Sequence, residues 1–176
     1  MIYEFCAENV TLLEKAMQAG ARRIELCDNL AVGGTTPSYG VTKAAVELAA
    51  KYHTTIMTMI RPRGGDFVYH DMEIEIMLED IRLTAQAGSQ GVVFGALTAD
   101  KKLDKANLEK LIAASKGMEI VFHMAFDELS EEDQFEAIDW LSQAGVTRIL
   151  TRAGVSGDSL EKRFAHYPRI LEHAKG

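Results

Sequence analysis

The chain has 176 residues, 26% of them charged, a formal net charge of −7 and two cysteines. These values describe a globular protein rather than a disordered one, and the acidic balance argues against a nucleic-acid partner, which would call for clustered Lys and Arg. No apolar run approaches the ~20 residues of a membrane span, and the opening MIYEFCAENV, with Glu4 and Glu8, has no basic export region, so the thiols are expected to be reduced in a cytoplasm.

In chain order, short β-type runs alternate with amphipathic helical runs. The first strand is predicted at Ile2–Cys6, followed by a helix from about Asn9 whose Val10, Leu12, Leu13, Ala16 and Met17 share one face, with Gly20 as its stop. A strand at Arg23–Cys27 leads through a turn-rich stretch, Asp28–Gly40, to a helix at Val41–Tyr52. Then come a strand at Thr55–Ile60, a helix at Met72–Ala87 and a strand at Gly91–Phe94. A helix at Lys105–Ser115, a strand at Glu119–Phe122 and a helix at Glu131–Ala144 follow, the last with Ser130 as its cap. A strand at Arg148–Leu150 and a helix at Leu160–Ala174 close the chain.

Six such units without a linker predict one domain over residues 1–176 with a parallel sheet. A dinucleotide-binding fold would need a glycine fingerprint after the first strand, where Ala7-Glu8-Asn9 stand instead. Side-chain alternation favours a closed (β/α)8, TIM-type barrel. Large apolar residues such as Phe5, Ile24, Leu26, Ile56 and Ile60 fall on one strand face, while polar or soft residues fall on the other. At the expected C-terminal mouth the inward positions read Cys6, Cys27, Arg61, Gly95, His123 and Thr151, with Glu4 and Glu25 one layer deeper.

Two chemistries are open at such a mouth. The repeated Glu-x-Cys pattern would bring Cys6 and Cys27 together on neighbouring strands, and paired thiolates suit a soft ion such as Cu(I), with His123 as a further metal ligand. The same thiols also fit ordinary buried packing. Alternatively, the chain is an enzyme for a small anionic metabolite. Glu25, with Arg61 as its natural ion-pair partner, and His123, with Asp127 four residues on, would then supply catalytic acid and base. Arg61, Arg63 and Asp66 in the loop Arg61-Pro62-Arg63-Gly64-Gly65-Asp66-Phe67, with Thr35 and Thr36 nearby, would form the anion-binding set. The remaining histidines, His53, His70, His166 and His173, are expected at solvated helix positions.

Several segments together resemble the CutC family of copper homeostasis proteins: EFC at Glu4–Cys6, RIELCDNL at Arg23–Leu30, GGTTPSYG at Gly33–Gly40 and MIRPRGGDFVY at Met59–Tyr69. EDIRLTAQAG at Glu79–Gly88, VVFGALTAD at Val92–Asp100, FHMAFD at Phe122–Asp127 and RILT at Arg148–Thr151 extend the match. The resemblance implies a TIM barrel, a cytoplasmic location and a copper-handling role. Cys6 and Cys27 become the Cu(I) ligands, and Glu25, Arg61, Arg63, Asp66, His123 and Asp127 the polar mouth. Met124 stands where the family usually has Arg after the motif histidine. Six units are also fewer than a closed barrel's eight, so a truncated barrel is expected, or one whose open edge is covered by a further subunit in a homo-oligomer.

Overall fold

The structure, a computed structural model, describes residues 1–175. The strands are β1 (Glu4–Glu8), β2 (Arg23–Cys27), β3 (Thr55–Met59), β4 (Gly91–Phe94), β5 (Glu119–Phe122) and β6 (Arg148–Ile149). The helices are α1 (Leu13–Gln18), α2 (Tyr39–Ala50), α3 (Asp71–Ala87), α4 (Lys105–Ala114), α5 (Glu131–Gln143) and α6 (Leu160–His173). All six strands are parallel and lie in sequence order, with helices between them. The result is an incomplete α/β barrel, as the alternation predicts.

Side-chain periodicity sorts the core. Outward-facing Ile24, Leu26 and Ile56 pack with Leu13, Met17, Ala45 and Ala49 of the flanking helices. Val92, Phe94, Ile120 and Phe122 do the same against α3, α4 and α5. The inward face holds its own small cluster of Cys27, Met57, Met59, Val93 and Val121. Close packing there demands glycine at Gly91. An added Cβ would run into Met57 and lie 2.7 Å from the Glu119 carbonyl oxygen. Gly91→Ala is therefore expected to lower unfolding free energy by about 1–3 kcal/mol, measured by urea denaturation, because it overpacks an interior that has no room to shift.

Three elements differ from the periodicity reading by two residues or more. One is α2, which runs Tyr39–Ala50 rather than Val41–Tyr52 because Ser38 caps it by accepting from Val41 N. β1 starts and ends two residues later than expected, because its ladder to β2 runs from Glu4↔Arg23 to Glu8↔Cys27. Helix α1 begins only at Leu13, since Asn9 adopts a left-handed φ of 57° and caps its own turn through Val10 N. The sheet's outer edges are uncovered among the described residues. Ile2, Tyr3 and Phe5 are exposed beside β1, and Leu160, Phe164, Tyr167 and Leu171 form an exposed stripe on α6. No helix among the described residues is long and apolar enough to cross a membrane.

Candidate metal centre

The two Glu-x-Cys segments lie on adjacent strands with their side chains inward. The register sets Cys6 level with Glu25, and Cys27 level with Glu8. Cys6 therefore sits one layer below Cys27 and shares a level with Glu25, rather than lying at the mouth above it. The two Sγ atoms are 4.0 Å apart. Both thiols donate to one carboxylate oxygen, Glu25 Oε1, at 3.4 Å from Cys6 and 3.7 Å from Cys27. One donor atom from each of Cys6, Glu25 and Cys27 falls within 4.8 Å of the others.

Burial governs the electrostatics of this trio. Glu25 is 6% exposed, and loss of water pushes its carboxyl above the usual range, partly offset by the hydrogen bonds from the thiols. Cys27 is fully buried, and its thiol is held far above an ordinary cysteine. The hydrogen bond with Cys6 is the main cause, followed by burial and the Glu25 charge. Cys6 is exposed and opens on a cavity of about 330 Å³, lined also by Glu4, Arg23, Glu25, Val121, Arg148 and Leu150.

The expected Glu25–Arg61 ion pair does not form. Arg61 is 4% exposed, and its terminal nitrogens donate to three backbone carbonyls: Val32 (2.9 Å), Gly34 (3.0 Å) and Gly65 (2.7 Å). It ties the loop after β2 to the loop after β3, and its guanidinium stacks on Phe67 with 4.9 Å to the ring centroid. Thr36 belongs to the same frame, its hydroxyl accepting from Arg61 N and its N–H donating to Arg61 O. Thr35 pairs with Asp28. Arg61→Met is expected to destabilise the fold by about 3 kcal/mol or more, because three carbonyls lose a charged donor. Unfolding curves that coincide with the parent protein's would contradict this structural role.

Arg63 is equally occupied. Its Nε donates to Glu73 at 2.6 Å, and its terminal nitrogens reach Asp66 Oδ1 and the Val68 carbonyl. Asp66 is consequently held below the usual carboxylate range, chiefly by the Arg63 hydrogen bond.

His123 lies outside the thiol cluster. Its Nδ1 accepts from Ala125 N at 3.2 Å, and its ring packs on Gly95, where an added Cβ would lie 2.7 Å from Cε1. Burial, then the Arg61 charge, lowers its pKa to about 3, so the imidazole is neutral. Asp127 does not pair with it. Thr151 Oγ1 and Arg152 N donate to the Asp127 carboxylate, joining the loops after β5 and β6. His166, expected in solvent, is 3% exposed and bonded to Gln134 at 2.8 Å, because α6 leans on α5 at that point.

The sequence pattern points to Glu25 as an acid or base, whereas the structure sets it as a third donor between the thiols. Its spacing of two from Cys27 was the available signal. Tyr69, whose hydroxyl burial pushes up to about 12, enters the sequence reading only as the last residue of the MIRPRGGDFVY segment.

The fold and this site together define a partial α/β barrel with a two-thiol, one-carboxylate donor set in its interior. The CutC family model matches residues 1–173, and the chain belongs to the CutC family. A CutC protein of Enterococcus faecalis is 52% identical over 174 residues, covering 99% of this chain and 83% of the relative. A human relative named copper homeostasis protein cutC homolog is 41% identical over 175 residues, 99% of this chain and 62% of its own length. The CutC crystal structure from Streptococcus agalactiae superposes with a TM-score of 0.95 at 44% identity, covering all of this chain and 84% of the other. An archaeal fructose 1,6-bisphosphate aldolase, at 15% identity and a TM-score of 0.62 over 90% of this chain and 62% of its own, shares the barrel fold alone.

Proposed function

We propose that this protein handles copper by binding Cu(I) through Cys6 and Cys27, with Glu25 as an additional oxygen donor. The observation that carries this reading is the 4.0 Å separation of the two sulfurs, close enough for one ion to contact both. Paired thiolates are soft donors that favour Cu(I), whereas a structural zinc site normally takes four Cys or His ligands. The copper homeostasis name of the human relative agrees with this choice. Both thiols must lose their protons to bind, so uptake releases protons and tightens as pH rises. The reading includes a cytoplasmic setting, where thiols stay reduced, and contact of the open sheet edges with a further subunit. Anaerobic titration with Cu(I) against a chromogenic chelator tests it. The expected result is one ion per chain with proton release, and failure to compete with the chelator at any pH would reject it.

A second reading, an enzyme for a small anionic metabolite, rests on a different observation. Arg61 Nε, Tyr69 Oη and His123 Nε2 are buried without a hydrogen-bond partner, and such atoms are costly unless water or a ligand meets them. A thermal-shift screen of phosphorylated and carboxylated metabolites separates the two readings. A hit that His123→Gln abolishes would support the enzyme, and a blank screen would leave copper alone.

A further inference from the structure

We propose that the loops after β3, β5 and β6 form a binding site for a phosphate monoester, with the guanidiniums of Arg152 and Arg163 holding the phosphate and an adjoining apolar cavity holding its organic group. The proposal rests on the second reading above, that of a small anionic ligand, and moves the anion contact from Arg61 and Arg63 to a different pair of cations.

Hydrogen-bond accounting selects the pair. The terminal nitrogens of Arg61 and Arg63 are taken by loop carbonyls and by Asp66. Arg152 is exposed, and its side chain makes no hydrogen bond or ion pair among the described residues; only its backbone N–H is used, donating to Asp127. Arg163 is half-buried, and its side chain makes one bond, from Nε to the Asp158 carbonyl at 3.1 Å, which leaves its terminal nitrogens unspent. Both arginines line one cavity of about 110 Å³. The carboxylates in its wall are already engaged. Asp127 accepts from Thr151 Oγ1 and Arg152 N, and Glu128 pairs with Lys101 at 3.2 Å. In a chain of net charge −7, this cavity holds a local excess of cationic donors.

The loop after β6 sets both side chains in place. Burial raises the Asp127 carboxyl, and after its two hydrogen bonds the Arg152 and Arg163 charges draw it back down, so both guanidiniums bear on the same point. Gly154 makes room for Arg163, since an added Cβ would lie 2.7 Å from Arg163 Cγ.

Position and volume then name the ligand. The C-terminal mouth is where barrels bind their substrates. A space of about 110 Å³ holds a few waters at roughly 30 Å³ each, or one phosphate group in their place. It adjoins a cavity of about 500 Å³ through Phe67 and Glu128, which line both. That volume falls within the roughly 300–1,000 Å³ of small-molecule sites, and Phe67, Val68, Leu97 and Ala99 give it an apolar wall. A phosphate accepts paired hydrogen bonds from a guanidinium fork, so a phosphate on a small apolar body matches the two cavities together. Neither β1 nor β6 contributes a residue to either cavity, so the site is not on the sheet edges that a further subunit would cover.

Calorimetric titration at about pH 7.5, where a phosphate monoester is close to a dianion, tests this with phenyl phosphate, inorganic phosphate and benzyl alcohol. Phenyl phosphate is expected to bind, inorganic phosphate to bind more weakly, and benzyl alcohol not to bind. Arg152→Met removes an exposed side chain that nothing else in the fold uses, and is expected to weaken phenyl phosphate binding about tenfold or more. The Arg152→Met, Arg163→Met double variant should lose binding altogether. Arg22→Met, which removes an exposed arginine just before β2 at the other end of the barrel, controls for net charge and should bind as the parent does. No binding of phenyl phosphate, equal losses in Arg22→Met and Arg152→Met, or parent-like affinity in the double variant would overturn the proposal. His123→Gln separates the site from the enzyme reading. Binding that survives His123→Gln and is lost in the arginine variants leaves the site standing without the enzyme. Binding lost in His123→Gln and kept in the double variant supports the enzyme and overturns the site.

Discussion

The Cys6→Ser, Cys27→Ser double variant is expected to lose Cu(I) binding by more than about 100-fold, since groups behind a metal's ligands already contribute 10–100-fold. Each single variant keeps one sulfur and one carboxylate oxygen and is expected to lose nearly as much, because a soft ion left with one thiolate beside a hydroxyl and a carboxylate meets mostly hard donors. Glu25→Gln separates the roles. It keeps both thiols but replaces the carboxylate that accepts from them at 3.4 and 3.7 Å, and a loss of about 10–100-fold is expected. Chelator competition under anaerobic conditions reads the parent and all four variants on one scale. Double-variant affinity equal to the parent's would remove the copper assignment, and with it any role for Glu25 as a donor. The folded state should tolerate these changes. The serines are smaller than the thiols they replace, and Cys6 is already exposed.

The inward face was readable because strand alternation is a short-range property. Glu25, Cys27, Met57 and Met59 could be placed on one side from spacing alone, and the interior cluster contains them as placed, with Glu25 beside Cys27. What lay beyond reach was height along the barrel. The level of Cys6 depends on how β1 slides against β2, and that is set by Glu4↔Arg23 and Glu8↔Cys27 pairing between strands 19 residues apart. Arg61 shows the same limit from another side. A guanidinium beside glycines suggests an anion site, but those glycines leave their own carbonyls free, and Val32, Gly34 and Gly65 claim the donors first. Loop backbone competes with ligands for arginine, and its conformation is not written in local periodicity. His123 was correctly placed at a strand end, yet its partner, Ala125 N, lies in the turn that follows rather than on a second ligand or carboxylate.

That turn makes His123 the largest source of acid sensitivity expected in this fold. Its imidazole is 3% exposed, and burial together with the Arg61 charge lowers its pKa to about 3. In the unfolded chain a histidine titrates near 6.5. Between these values the unfolded state binds a proton that the native state refuses, so stability falls as pH drops from about 6.5 toward 3. The slope is about 1.4 kcal/mol per pH unit, or roughly 3 kcal/mol between pH 6.5 and 4.5. That is a large share of the 5–15 kcal/mol typical of a native domain. Glu25 and Asp127, whose carboxyls burial raises, act with the opposite sign, since their native forms hold protons longer as pH rises. The wild-type curve alone therefore mixes the contributions, and the informative quantity is its difference from His123→Gln. Urea unfolding at half-unit pH steps should show the two proteins diverging below pH 6.5, the variant gaining on the parent at each step. A difference that stays constant with pH would mean that His123 reaches solvent or a proton donor in the native state, and that the neutral, buried imidazole described here does not persist in solution.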